Sequence, residues 1–206
     1  MRSSASSSTS GDEEIVRIVP RVTSTHRIRL FGINGRYTSR MLIQLLFAAS
    51  AAMVLLVAMP SLASIPGIDS GIFLHAAQHI MHGEVPYRDF WENKPPGIYY
   101  VDAFGLWLGH GSRWGVWVVE WISLWAAASF GFTAMRRAFG DAPALFAIVC
   151  WLFGFARVLQ GGNFTEEFVP PLQFASVLAF ERLEGSGSRL IDAALVGAFG
   201  AMAFLL

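Results

Sequence analysis

Long apolar segments constrain this chain more than any other feature of its sequence. The first, Met41 to Ala63, contains no ionisable residue. At a rise of about 1.5 Å per residue, a helix of this length crosses a hydrocarbon core of about 30 Å. Further apolar segments follow at 114–135, 142–159, 164–180 and 190–206. The pattern predicts an all-α fold, namely a multi-pass bundle of about five transmembrane helices.

The composition agrees with a membrane protein. Hydrophobic residues make up 54% of the chain and charged residues 15%, which is outside the usual balance of soluble domains. The formal net charge is +0 at pH 7, and the arginines form no patch with interleaved aromatic residues, so nucleic acid is not expected as a partner. The single cysteine, Cys150, lies in an apolar segment, which predicts packing and excludes an internal disulfide.

Residues 1–40 differ from the rest, because they are rich in serine and arginine and also contain three adjacent acids. This composition predicts a disordered tail. The positive-inside rule places the tail, Arg136-Arg137 and the 182–189 loop on the cytoplasmic side of the cell membrane. The chain is still apolar at Leu206. We therefore expect residues 41–206 to be the N-terminal part of a longer, truncated membrane domain.

Between the first two predicted spans, Asp69–Tyr100 gathers much of the polar chemistry. This stretch contains four of the acidic residues, three of the histidines and the only lysine, Lys94. Charge held between membrane spans predicts a functional site. Asp69 precedes a segment with helical spacing, so it is either the N-cap of that helix or a carboxylate that accepts a proton from an attacking hydroxyl. The two roles are compatible.

Three histidines follow Asp69 at i, i+4 and i+7 of this segment, at His75, His79 and His82. The spacing suits metal ligands, but it also suits a polar face that meets water or lipid headgroups. No carboxylate or cysteine stands beside them at a typical zinc spacing. We therefore expect a polar face and no metal site.

Residues 86–100 combine two cations, Arg88 and Lys94, with aromatic residues and prolines. Such a loop predicts binding of an anionic phosphate headgroup or anchoring at the membrane interface. Residues 98–108 are apolar and aromatic but short, which predicts a helix lying along the interface. The candidates for contact with a lipid or an acceptor are Tyr87, Trp91 and Tyr99.

A second pair of acids, Glu166 and Glu167, stands at the outer end of the fourth predicted span. These residues predict either a second acidic site or compensation of a helix dipole. Asn163 to Thr165 also match a glycosylation sequon, which carries little weight at a membrane surface.

The order of these signals resembles a known family. It comprises an outer-face Asp after the first span, an amphipathic helix, a Gly-x-x-Pro, Lys94-Pro95-Pro96, an aromatic interfacial helix and a span that ends in Arg-Arg. This order is similar to the C-class membrane glycosyltransferases that use polyprenyl-phosphate sugars, in particular the protein mannosyltransferase, aminoarabinose transferase and RgtA/B/C/D-like group. The resemblance covers about Met41 to Phe180.

The resemblance implies transfer of a hexosyl or pentosyl group from a polyprenyl-phosphate sugar to a glycan, lipid or protein acceptor. It implies Asp69 as the general base and Lys94, with Arg88, as the cations that stabilise the departing lipid phosphate. It implies no required cofactor, although some relatives bind a divalent cation. Many members have Asp-Glu where this chain has Asp69-Ser70.

Two other functions fit the same residues. The chain is alternatively a fragment of a transporter or flippase for an anionic or lipid-linked solute, or a non-catalytic membrane subunit. Transporters carry polar residues near the middle of the bilayer. Because the first three predicted spans show little such polarity, the sequence favours the transferase.

Overall fold

The computed structural model describes residues 41, 42, 44–50, 67–158, 162–185 and 189–206. In this part of the chain every regular element is an α-helix, and the only β-type contact is an isolated bridge between Pro86 and Phe90. The predicted all-α class is confirmed. The predicted tail (1–40) and the second half of the first predicted span (51–63) lie outside the described residues.

The helices follow the predicted apolar segments, with an additional break in the fourth. Their bounds are α1 (helical residues 41, 42 and 44–50), α2 (Ile68–Met81), α3 (Gly97–Leu108), α4 (Trp114–Phe139), α5 (Asp141–Val158), α6 (Thr165–Phe168), α7 (Pro170–Gly185) and α8 (Arg189–Leu205).

Helix α4 is the longest element and the centre of the packing. Among the described helices it alone is long and apolar enough to cross a membrane. The apolar helical stretches Asp141–Phe155 of α5 and Leu190–Leu205 of α8 are shorter. Gly140, at φ 86°, ends α4 and lets α5 begin at once, since glycine adopts this left-handed conformation without a steric penalty.

Helices α5 and α7 pack against α4, and α8 packs against α7. Two residues of α4 contact residues further along the chain: Ser123 Oγ donates to the Glu167 carbonyl oxygen of α6 (2.8 Å), and Arg137 Nη1 donates to Glu181 Oε2 of α7 (2.6 Å). Each partner lies 44 residues after its α4 residue, so the segment that contains α6 and α7 runs parallel to α4. The main apolar core between α1, α4 and α5 contains Leu42, Leu46, Trp117, Leu124, Ala128, Phe132, Ala144, Ile148 and Leu152.

The fourth predicted span is not one continuous helix. The short helix α6 ends at Phe168, and α7 begins at Pro170. Pro170 and Pro171 have no backbone N–H group with which to extend the hydrogen-bond ladder of the preceding helix. The expected single helix over 164–180 is therefore divided into α6 and α7. Helix α6 packs against α4.

Glycines allow α3 and α4 to form a tight helical hairpin. A Cβ added to Gly105 would lie 2.7 Å from Val116 Cα, and one added to Gly115 would overlap the backbone oxygen of Gly105. At the other end of α3, a Cβ on Gly97 would overlap the backbone oxygen of Leu205. Helix α3 thus reaches from the start of α4 to the end of α8, in direct backbone contact with both.

We expect Gly115→Ala to lower the free energy of unfolding by about 1–3 kcal/mol, because the added methyl meets backbone that cannot move aside. Gly154→Ala in α5 is the matched control, since nothing lies within 4 Å of the added Cβ. That change should be neutral or stabilise the helix by up to about 1 kcal/mol. Thermal unfolding of both variants in one detergent, followed by circular dichroism, measures the difference. Equal stability would contradict the close approach of α3 and α4.

Candidate functional site

Asp69 lies in the first turn of α2, with its side chain exposed. The helix begins at Ile68, and its N-cap is Gly67, which provides no side-chain cap. The N-cap interpretation of Asp69 is therefore wrong, although the carboxylate still stands where the helix dipole favours a negative charge. Within the described residues no hydrogen bond or ion pair occupies this carboxylate.

The three histidines do not form one face. His79 contacts Glu84 Oε2 through Nδ1 (2.7 Å) and His75 Nε2 through Nε2 (3.0 Å). His82 lies just past the end of α2, where its Nδ1 donates to the Gln78 carbonyl oxygen (2.7 Å). Across the described ranges, no group of three or more His, Cys, Asp or Glu side chains is arranged to hold a metal ion.

The loop between α2 and α3 is fixed at the backbone of Lys94. The Lys94 carbonyl oxygen accepts hydrogen bonds from the hydroxyls of Tyr87 and Tyr99, the latter at 3.2 Å. Burial raises the pKa of Tyr99 to about 12, so this hydroxyl remains a donor. The ring of Tyr99 is fully buried beside Phe73 and Phe90. Tyr99 therefore positions the loop and has no exposed surface for the predicted lipid or acceptor contact.

The side chain of Lys94 is exposed, and in the described part of the chain no acid pairs with its ammonium group. Arg88 differs, because its Nη2 lies 2.6 Å from Asp89 Oδ2. This hydrogen bond, together with one from the Val85 N–H group (2.8 Å), lowers the pKa of Asp89. A phosphate at Arg88 would have to compete with Asp89. Trp91 is 80% exposed and rests edge-on against Tyr87.

Three acids are buried where α3, α4 and α6 meet. Asp102, Glu120 and Glu167 are each 0% exposed, and we call these residues the buried carboxyl cluster. Each lies within electrostatic reach of another member. Asn163, itself 3% exposed, connects the cluster to α2, because its Nδ2 donates to Asp102 Oδ2 (2.8 Å) and to Ser70 Oγ (3.2 Å).

Several oxygens of this region have no hydrogen-bond donor among the described residues. They are Asp102 Oδ1, Glu120 Oε1 and Oε2, Glu167 Oε1 and Asn163 Oδ1. Glu167 Oε2 does accept one hydrogen bond, from the Phe164 N–H group at the start of α6 (2.9 Å). Gly162, at φ 75°, passes so close to the cluster that an added Cβ would lie 2.6 Å from Glu120 Oε1. Burial raises the pKa of Asp102 to about 7.

The structure brings part of the predicted site together and divides another part. Ser70, the neighbour of Asp69, contacts Asn163, so the start of α2 lies beside the segment that carries the second acidic pair. That pair is divided, because Glu166 is exposed and Glu167 is buried. Glu167 accepts the Phe164 N–H hydrogen bond at the start of α6 and also belongs to the cluster. No hydrogen bond or ion pair joins Asp69 to Lys94 within the described residues.

The site predicted from the sequence did not include Asp102, Glu120 or the structural role of Asn163. A signal for the two acids was present. Glu120 is the only charged residue in the apolar segment 114–135, and Asp102 is the only one in 98–108. A lone charge within an apolar helix indicates a buried partner or a function. Asn163 had no such signal, since an asparagine in a loop is ordinary.

Comparison of the chain with protein-family models, with curated proteins and with solved structures yields no significant match.

We expect the stability of the wild type to fall as the pH rises from about 5 to about 8. An unfolded aspartate titrates near pH 3.9, whereas the pKa of buried Asp102 is raised to about 7. Between these values the folded protein holds more protons than the unfolded chain, so the free energy of unfolding decreases with increasing pH.

Asp102→Asn removes this contribution. The free energy of unfolding of the variant, relative to that of the wild type, should rise by about 1 kcal/mol or more between about pH 5 and about pH 8. Thermal unfolding midpoints of both proteins at about pH 5 and about pH 8 measure this gain. Asp69→Asn, which alters an exposed acid, serves as the control and should show no comparable gain. If the unfolding midpoints of Asp102→Asn and the wild type differ by the same amount at both pH values, the raised pKa assigned to Asp102 is wrong.

Proposed function

We propose that this chain belongs to a multi-pass membrane glycosyltransferase that moves a sugar from a polyprenyl-phosphate donor to an acceptor hydroxyl or amine on the outer face of the cell membrane. One observation carries the proposal. An unpaired carboxylate, Asp69, and an unpaired ammonium group, Lys94, are both exposed on one helix–loop–helix unit of the described chain. The tyrosine hydrogen bonds to the Lys94 backbone support a fixed position for this lysine.

The membrane part of the proposal is supported by apolar side chains that face outward. Helix α4 has the required length, and large side chains on α5 and α8, namely Phe146, Phe153, Leu190 and Phe204, are 67–87% exposed. Exposed apolar surface of this extent is unusual for a protein in water and typical of contact with lipid. The proposed orientation keeps the N-terminus in the cytoplasm and places the Arg136 and Arg137 end of α4 there too.

In the proposed reaction the hydroxyl oxygen of the acceptor attacks the anomeric carbon of the sugar, and Asp69 accepts the proton of this hydroxyl. The bond between this carbon and the phosphate oxygen breaks, and its electron pair stays on the lipid phosphate. The Lys94 ammonium group offsets the negative charge that develops there. Arg88 would assist only after exchanging Asp89 for phosphate, so we assign it a secondary role. The exposed rings of Tyr87 and Trp91 are suited to contact the prenyl chain or the acceptor.

Asp69→Asn should lower sugar transfer by about 10²- to 10⁴-fold, because a positioned general base contributes an effect of that size. Binding of the donor lipid should change little. Lys94→Ala should weaken binding of a polyprenyl phosphate as well as transfer, because the cation contacts the phosphate. Transfer is measured in membranes with labelled polyprenyl-phosphate sugars, and binding is measured with a fluorescent polyprenyl phosphate.

Two variants control for the loss of one charge. Glu166→Gln removes an exposed acid from α6, and Arg182→Ala removes an exposed cation near the C-terminal end of α7. Both should retain donor binding and any transfer that the wild type shows. If Asp69→Asn and Lys94→Ala behave like these controls, the site assignment is wrong.

A transporter or flippase is the second candidate, and the buried carboxyl cluster favours it. Glu120 is a fully buried acid within the membrane-length helix α4, and acids in such positions often lie on the path of an ion or solute. A transporter would move a labelled solute across a vesicle membrane without consuming a sugar donor. Its activity would depend on Glu120 and would tolerate Asp69→Asn.

A further inference from the structure

The transfer reaction leaves the buried carboxyl cluster unused, and its charge requires an explanation. If all three acids were ionised, three negative charges would lie close together on residues with no exposed surface. Each buried carboxylate costs several kcal/mol even after relaxation of its surroundings. Like charges at this range also oppose one another, so close carboxyl pairs usually keep one proton.

No cation in the described structure offsets this charge. The groups that act on the cluster are its own members, Glu166, and hydrogen-bond donors from residues 163 and 164. The element α2 contributes the hydroxyl of Ser70 through Asn163. Residues 51–66 and 159–161, which flank this region in sequence, contain no lysine, arginine or histidine.

The unpartnered oxygens point to the missing ligand. Five oxygens of the cluster and Asn163 lack a donor within the described ranges, and one of them is the amide oxygen of Asn163, which is not an acid. A carboxylate and an amide oxygen are both acceptors only, whereas a protonated carboxyl group has an O–H donor. Each bound proton therefore removes a charge and supplies a donor to an unpartnered oxygen. A metal ion is not favoured, because no group of three or more His, Cys, Asp or Glu side chains among the described residues could hold one.

We propose that Asp102, Glu120 and Glu167 form a proton-binding site that keeps at most one of its carboxyl groups charged at neutral pH, and that the bound protons hold residues 162–168 against α3 and α4. Glu167 and the backbone of Gly162 connect this segment to the cluster. Loss of the protons would leave like charges facing one another across the same contacts. This inference does not depend on the proposed sugar transfer.

Infrared spectroscopy of the whole protein in lipid vesicles tests the site directly. Protonated carboxyl groups have a C=O stretching band that ionised carboxylates lack, and the band shifts in D₂O. The folded wild type should show this band at neutral pH, where exposed acids do not contribute. The band should disappear as the pH is raised. Glu120→Gln should lose part of the band. The control Asp89→Asn, which changes an exposed acid of the loop between α2 and α3, should retain all of it.

Each other outcome would overturn the proposal. The wild type would refute it by showing no protonated band at neutral pH, and this measurement needs no variant. If Ca²⁺, Mg²⁺ or Na⁺ at constant pH abolishes the band and raises the unfolding temperature, the ligand is a metal ion. If Glu120→Gln fails to fold, Asp102→Asn and Glu167→Gln replace it. Because at most one member is charged, at least one of these two variants must lose part of the band, and an unchanged band in both folded variants would exclude the cluster as its source.

Discussion

The amide of Asn163 is the contact on which the arrangement of α2, α3 and α6 depends. A single buried nitrogen donates to Ser70 on α2 and to Asp102 on α3, while the next residue, Phe164, donates its N–H group to Glu167. Asn163 has a positive φ of 64°, which asparagine tolerates better than most residues. The turn before α6 and the side-chain bridge are thus provided by the same residue. In the sequence this residue is visible only as the first position of a glycosylation sequon.

Burial of the acids shapes the backbone around them. Gly162 lies directly against the Glu120 carboxyl group, and any larger residue there would displace either the acid or the loop. Pro170 ends the helical hydrogen bonding that begins in α6 because it has no N–H group. Helix α6 is therefore a short, separate turn, and its Glu167 is buried. These features make little sense for a simple membrane span. They do make sense if the segment between α5 and α7 is built to hold acids in the interior.

The sequence alone predicted the helices but only part of the site. Apolar segments located α3, α4, α5 and α8, because burial or contact with lipid requires runs of apolar side chains whatever the neighbours are. Pro170 and Pro171 were a sequence signal for the break between α6 and α7. The apolar segments could not predict that Asp102, Glu120 and Glu167 would meet. Periodicity indicates which residues share a face of one helix, whereas the cluster depends on which faces of three helices come together. The close approach of Gly105 and Gly115, which brings α3 onto α4, has no periodic signal.

Exposed Asp69 is connected to buried Asp102 through its neighbour Ser70 and two hydrogen bonds of Asn163. Asp69 and Ser70 are consecutive residues in the first turn of α2, with the carboxylate of the first exposed and the hydroxyl of the second bound to Asn163. A helical turn is stiff, so a shift of Asn163 that follows a change of charge in the cluster would move Asp69 as well. In the proposed transferase, protonation of the buried acids would then influence the position of the base.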